Sequence, residues 1–299
     1  MGDLKLFNLA LEGVTELPSA SATLERELQV VFERNLDALL GVRFLKSEYA
    51  ITGGRIDTLG IDENGCPVII EYKRHRDENV INQGLFYLDW LMDHQGSFEL
   101  IVRDAFDKET SDKIEWRAPR LICIASEFTK FDEHAVKQMQ RNIELIRYRK
   151  FGPDLLLLDL LTATSADKPA SAPSPTTQPT TYKTVSDQIA DAGPDLVGLY
   201  EEVRSFLLSL GEDVQENVLR FYIAFKRIKN FACVEVKPQI KTVRLFLKVD
   251  PDTVELVDGF TRDVRNIGHF GTGDLEVTVR SLDDLERAKP LVVQSYEAS

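Results

Sequence analysis

Three residues carry the clearest chemical signal in this sequence: Asp57 in GRIDTLGID, and Glu71 and Lys73 in VIIEYKR. Metal-assisted hydrolysis of a phosphodiester needs hard oxygen ligands for Mg2+ or Mn2+, a water acidified by that metal, and positive charge where an oxyanion develops. Two carboxylates and an ammonium group meet those needs. Side chains alternate along a strand, so Glu71 and Lys73 project from one face while Val68, Ile70 and Tyr72 take the other. Singly, each charged residue reads as half of a weak surface ion pair. The apolar run Val68-Ile69-Ile70 changes that reading. It suggests a strand buried on both faces, where a charged pair is costly unless a metal or partner satisfies it.

Two strands and a short turn must bring these groups together. β-patterned stretches are expected over residues 43–51, 55–61 and 67–74, joined by Thr52-Gly53-Gly54 and Glu63-Asn64-Gly65, both turn-forming combinations. A helix is expected before them over residues 23–40, with Leu24, Leu28, Val31, Phe32, Leu36 and Leu39 as its apolar stripe and Gly41 as its stop. A second helix follows over residues 79–94. Beyond it, strands are expected at 98–102, 121–125 and 155–160, with a polar helix at 132–141.

The stretch GRIDTLGIDENGCPVIIEYKR resembles the metal-binding hairpin of the PD-(D/E)XK nucleases, and within them the nuclease domain of NucS-type endonucleases. The resemblance implies an α/β, restriction-endonuclease-like core, a mixed central sheet flanked by helices. It also implies that Asp57 and Glu71 hold Mg2+ or Mn2+ with the backbone carbonyl of Tyr72, and that Lys73 orients the attacking water or stabilises charge. The proline that opens the motif is absent, Ile56 standing before Asp57.

Flanking residues extend the match. Gln83 and Tyr87 in NQGLFYLDWL are spaced i, i+4 on one helix face and resemble the family's Q-x-x-x-Y element, which implies a role in positioning the substrate or the site. The bland reading is a polar pair on an amphipathic helix. Similar nucleases take a further acid from the first helix, which offers Glu25, Glu27 and Glu33. At about 100° per residue, Glu25 falls inside the apolar stripe and Glu33 toward Gln29 and Asp37, so Glu25 is the residue expected at the site. Arg74, His75 and Arg76 follow the strand directly, where they would meet substrate phosphates or form a solvated loop; Arg55 is a weaker candidate for the same role.

Composition sets the outer bounds. The 299 residues, 43% of them hydrophobic, suit two packed domains. A Pro-, Ser- and Thr-rich stretch over residues 162–182 is expected to link a nuclease-like domain at 1–161 to a smaller α+β domain of unknown function at 183–299. The net charge of −13 argues against a protein that coats nucleic acid through a general basic surface, and leaves room for a local basic cleft. Three scattered cysteines and four histidines without H-x-x-x-H spacing disfavour a disulfide framework and a zinc hydrolase. No secretory signal or membrane span is visible, so a cytoplasmic location is expected.

In the C-terminal part, helices are expected at 194–210 and from residue 282, and strands at 232–236, 242–249 and 275–279. Lys226, Arg227, Lys229, Lys237, Lys241, Arg244 and Lys248 give this region a basic bias. The alternation KTVRLFLKV nevertheless reads first as a half-buried strand, with Val243, Leu245, Leu247 and Val249 inward. The segment from Arg265 to Tyr296 resembles an uncharacterised domain seen in predicted transport proteins. The function expected is a metal-dependent nuclease, more an endonuclease than an exonuclease, acting on DNA more than RNA. Its C-terminal domain would recognise a substrate, a protein partner or a second copy in a homodimer. The alternative is a nuclease-fold module that binds nucleic acid or protein without cutting.

Overall fold

The computed structural model describes residues 4–10, 13–22, 24–74, 79–164 and 183–299. The chain divides into two compact units: Met1–Ile61, Pro67–Lys113 and Pro119–Thr164 form one, and Asp62–Cys66, Ile114–Ala118 and Ser165–Ser299 the other. His75, Arg76 and residues 165–182 of the expected linker lie outside the described residues. No helix among the described residues is long and apolar enough to cross a membrane.

The first unit opens with a two-stranded hairpin, β1 (Leu6–Ala10) and β2 (Gly13–Leu17), and a short β3 (Ser19–Ala20). The expected first helix is two helices, α1 (Glu25–Arg34) and α2 (Leu36–Leu40), parted at Asn35, whose φ of −133° and ψ of 23° leave the helical region. Gly41 ends α2 at φ +63°, a left-handed position that glycine takes without steric cost. The buried stripe is Leu28, Phe32, Leu36 and Leu40, while Leu24 and Val31 are exposed. Both of those precede the break at Asn35, and Leu24 is the extended N-cap, outside the helical repeat.

Strands β4 (Val42–Ile51), β5 (Gly54–Asp62) and β6 (Pro67–Lys73) follow as consecutive neighbours, then α3 (Val80–Asp93), α4 (Gln95–Ala105) and α5 (Lys108–Asp112). The strand expected at 98–102 is therefore helix. Phe98 and Val102, four apart, are buried while Leu100 between them is 60% exposed, so this short apolar run follows the helical period. The unit closes with β7 (Arg120–Ala125), α6 (Lys130–Lys137), β8 (Asn142–Phe151) and β9 (Leu155–Thr164). Thr162, Ala163 and Thr164 pair with Leu145, Glu144 and Ile143, so the sheet reaches three residues past the expected boundary at 161.

These strands make a mixed seven-stranded sheet in the order β3-β8-β7-β6-β5-β4, with β9 also on β8. β5 runs antiparallel to β6, whereas β6, β7 and β8 are parallel. β8 escaped the sequence reading because charged Glu144, Arg147, Arg149 and Lys150 interrupt its apolar pattern. In the fold, Glu144 and Arg120 form a buried pair at 2.8 Å, and Arg147 pairs with Asp159.

The second unit contains α7 (Val185–Asp191), α8 (Pro194–Ser209), β10 (Gln215–Val218), β11 (Ile223–Lys226), β12 (Asn230–Lys237), β13 (Thr242–Leu247), β14 (Thr261–Asp263), β15 (Leu275–Val279) and α9 (Leu282–Glu297). Its sheet is antiparallel, ordered β10-β11-β12-β13-β15-β14. Val243, Leu245, Leu247 and Val249 are buried in one core with Leu196, Val203 and Leu207 of α8 and Leu285, Ala288 and Val292 of α9. Several cations of the basic region have carboxylate partners: Lys237 pairs with Glu235 at 2.7 Å, Arg244 with Glu276 at 3.6 Å and Lys248 with Glu63 at 2.6 Å.

Candidate active site

The site grows out of the β5–β6 ladder. Backbone pairing is regular from Ile61↔Pro67 to Thr58↔Ile70. At the next position side chains take over: the Asp57 amide donates to Glu71 Oε1 at 3.2 Å, and the Tyr72 amide donates to Asp57 Oδ2 at 3.0 Å. Each carboxylate is thus held by an amide of the facing strand. Burial follows from the sheet order, because β6 lies between β5 and β7 and its residues 67–72 are all buried. Tyr72, on the face opposite Glu71, packs its ring 5.6 Å from that of Phe32 in α1.

Glu71 is fully buried, and its Oε2 has no hydrogen-bond partner among the described residues. Burial, reinforced by the neighbouring Asp57, pushes its carboxyl up to about 8. Asp57 is also raised, chiefly by burial and against the opposing effects of the Tyr72 amide and Lys73. Two acids that resist ionising side by side form an environment that a cation would relieve. Carboxylates such as those of Asp57 and Glu71 are the hard-oxygen donors that Mg2+ and Mn2+ take. Among the described residues there is no group of three or more His, Cys, Asp or Glu placed to hold a metal.

Lys73 ends β6 with its side chain 15% exposed and its Nζ 3.6 Å from Glu25 Oε1. Glu25, the first residue of α1, also accepts the Arg74 amide through Oε2 at 3.1 Å. The Arg74 carbonyl accepts from the Tyr148 hydroxyl at 3.1 Å, and that hydroxyl accepts from the Ala22 amide. The end of the strand is therefore tied to α1 and β8, while the Arg74 side chain is exposed.

Gln83 and Tyr87 are brought to the start of β5. Gln83 Nε2 donates to the Tyr87 hydroxyl at 2.7 Å, and that hydroxyl accepts the Arg55 amide at 3.3 Å. A Cβ at Gly54 would lie 2.5 Å from the Tyr87 ring, so this close approach requires glycine. The pair braces the strand two residues before Asp57. An open cavity of about 500 Å³ is lined by Glu25, Arg26, Gln29, Glu48, Arg55 and Asp57; neither Gln83 nor Tyr87 lines it.

Gln29 is the residue that sequence reading passed over. It is 4% exposed and donates Nε2 to the Asp57 carbonyl at 2.8 Å and to Glu33 Oε1 at 2.9 Å. Glu33 in turn accepts the Thr58 hydroxyl at 2.7 Å. The signal was present in the Gln29-Glu33 spacing of i, i+4, a polar pair at the edge of the apolar stripe. It reads as a solvent face until β5 is known to lie against it.

Residues 24–108 match the family described as the Endonuclease NucS C-terminal domain. This segment is similar to the NucS endonuclease domain. The matched segment contains Glu25, Gln29, Asp57, Glu71, Lys73, Gln83 and Tyr87, while Ala22, β7 and β8 with Tyr148 lie outside it. Residues 185–299 match a domain of unknown function, DUF5655. A Haemophilus influenzae protein described as uncharacterised is 28% identical over 304 residues, across 98% of this chain and 100% of its own length. Among solved structures, EndoMS in complex with double-stranded DNA is 23% identical with a TM-score of 0.25, over 41% of this chain and 44% of that one. EndoMS in apo form is 23% identical with a TM-score of 0.26, over 43% and 48%. A repair endonuclease from Pyrococcus abyssi is 19% identical with a TM-score of 0.27, over 43% and 50%. The chain spans half or less of each of these three solved chains.

Proposed function

We propose that this protein is an Mg2+- or Mn2+-dependent nuclease, most simply an endonuclease, that hydrolyses phosphodiester bonds in DNA at Asp57, Glu71 and Lys73. The observation that carries the reading is the fully buried Glu71 carboxyl, one oxygen on the Asp57 amide and the other without a partner among the described residues. A group so placed is unfavourable in a sheet interior unless it serves a ligand. The NucS-like family match over residues 24–108 supports the choice of nucleic acid as substrate.

In this reading Asp57, Glu71 and the Tyr72 carbonyl hold the metal. When bound, the ion supplies Lewis acidity toward the phosphate and a water acidic enough to deprotonate near neutral pH. Lys73, largely buried beside Glu25, presents its ammonium group at the end of β6, where it stabilises the negative charge that develops on the phosphate oxygens. Glu25 holds Lys73 and the Arg74 amide together. Gln29 fixes the Asp57 backbone, and Tyr87 fixes the Arg55 backbone.

The test is a cleavage panel of single-stranded, duplex, mismatched and branched DNA, and RNA, each with Mg2+ and with Mn2+. Metal-dependent cutting that disappears in Asp57→Ala, Glu71→Gln and Lys73→Ala is expected. A wild-type protein that binds these substrates and cuts none supports a non-cleaving module instead, and variants that cut as well as wild type overturn the assignment of the site.

A further inference from the structure

The cavity beside Asp57 has a rim built from three elements. Arg26 comes from the first turn of α1, Glu48 from β4 and Arg55 from β5. The two oxygens of Glu48 are divided between the arginines: Oε1 lies 3.3 Å from Arg26 NH1, and Oε2 lies 2.5 Å from Arg55 Nε. Arg26 NH1 also donates to Gln29 Oε1 at 3.0 Å, which links the rim to the residue that holds the Asp57 carbonyl.

Stability does not account for this arrangement. The Arg26 and Arg55 side chains are 57% and 65% exposed, and ion pairs at that exposure contribute little. Arg26 sits at the positive end of the α1 dipole, where a cation is disfavoured. Glu48 holds φ +53°, a left-handed conformation uncommon for a residue with a side chain. Two locally unfavourable placements meet across the mouth of one cavity, and Arg26 and Arg55 are the cations among the residues that line it.

We propose that Arg26 and Arg55 form a clamp for a backbone phosphodiester of the substrate, next to the phosphate being cut, with Glu48 holding their place until substrate arrives. This rests on the nuclease reading above. One carboxylate bridging two guanidinium groups presents oxygens where a phosphate would present them, and arginine forks suit both anions. On binding, the phosphate replaces Glu48 between the guanidinium groups and the carboxylate returns to solvent. Glu48 thereby orders the two arginines in advance and lowers affinity through competition and repulsion.

Binding of fluorescently labelled single-stranded and duplex DNA is measured by anisotropy on the full chain carrying Asp57→Asn, which silences cutting, between about 50 and 200 mM NaCl. Removing one cation that neutralises a phosphate reduces the slope of log K against log salt by roughly one. Arg26→Ala and Arg55→Ala should each show that reduction. Arg26→Lys should keep the slope and bind more weakly, because charge remains while the fork is gone. Glu48→Gln should bind more tightly than its parent. Unchanged slopes in both alanine variants, or weaker binding in Glu48→Gln, overturn the clamp while leaving the nuclease reading in place. Absence of DNA binding by the parent, together with absence of cutting by wild type, overturns both.

Discussion

Asp57 and Glu71 face each other across β5 and β6 at the point where the backbone ladder stops, the Asp57 amide donating to Glu71 Oε1 at 3.2 Å. The contact orients Glu71 from one side only. Its second oxygen is buried and without a partner among the described residues, and burial next to Asp57 pushes the carboxyl up to about 8. An acid in this state couples folding to pH through a single proton and, in the proposed nuclease, couples both to metal binding.

The metal-free protein should lose stability as pH rises. Glu71 has a folded value of about 8 against 4.5 when unstructured, so the folded state holds the proton more tightly. Between those values the unfolded chain binds fewer protons, and the slope of stability with pH is negative. This contribution is full below about pH 4.5 and is lost as pH climbs toward 8. Thermal melts in EDTA from pH 5 to 8.5 should show a falling melting temperature. Glu71→Gln, which keeps an acceptor for the Asp57 amide without the ionisation, should flatten that fall.

Metal binding should release a proton. A carboxylic acid neutral at pH 7 must ionise to become a ligand. Calorimetric titration with Mn2+ at pH 7, repeated in buffers of different ionisation enthalpy, should report release of close to one proton per ion in wild type and little in Glu71→Gln. Equal proton release in the two proteins would show that Glu71 is not the group that titrates.

Gln29→Ala should weaken both fold and activity. The substitution takes a donor from the Asp57 carbonyl and from Glu33 inside a packed helix–sheet contact. Leaving such groups unsatisfied costs about 1–3 kcal/mol, which urea unfolding would measure. If Gln29 positions Asp57, kcat should fall more than KM rises, because the loss is in the placement of a metal ligand. A stability loss with unaltered kcat would limit Gln29 to a structural role.

Gly54→Ala tests the brace on β5. Its new Cβ would meet the Tyr87 ring at 2.5 Å, next to the hydroxyl that accepts the Arg55 amide. Overpacking of this kind costs about 1–3 kcal/mol, and displacement of Tyr87 would release the strand that presents Asp57. Reduced cleavage together with a lower urea midpoint is expected. A milder loss in Tyr87→Phe, which drops the hydroxyl and keeps the ring, than in Gly54→Ala would place the fault in the clash itself.

What the sequence determined by itself was the hairpin and which charged residues share a face of it. Alternation along VIIEYK places Glu71 and Lys73 on one face whatever surrounds them, and the Gly-containing turns at 52–54 and 63–65 set the strands that flank Asp57. Local geometry is enough for those statements, and it also indicated the two-part layout of the chain. The tertiary structure decided everything that depends on which surface meets which. Gln29 and Glu33 look like a solvent face until β5 packs on α1. Gln83 and Tyr87 carry a spacing that suits positioning either the substrate or the site, and only the fold puts the Tyr87 hydroxyl on the Arg55 amide. The run at 98–102 is too short to separate helix from strand by its pattern, and β8 carries charges that only its partners Arg120 and Asp159 make compatible with burial. The physical reason is the same in each case. Burial and hydrogen-bond satisfaction belong to pairs of residues distant in the chain, and periodicity within one segment carries information about that segment alone.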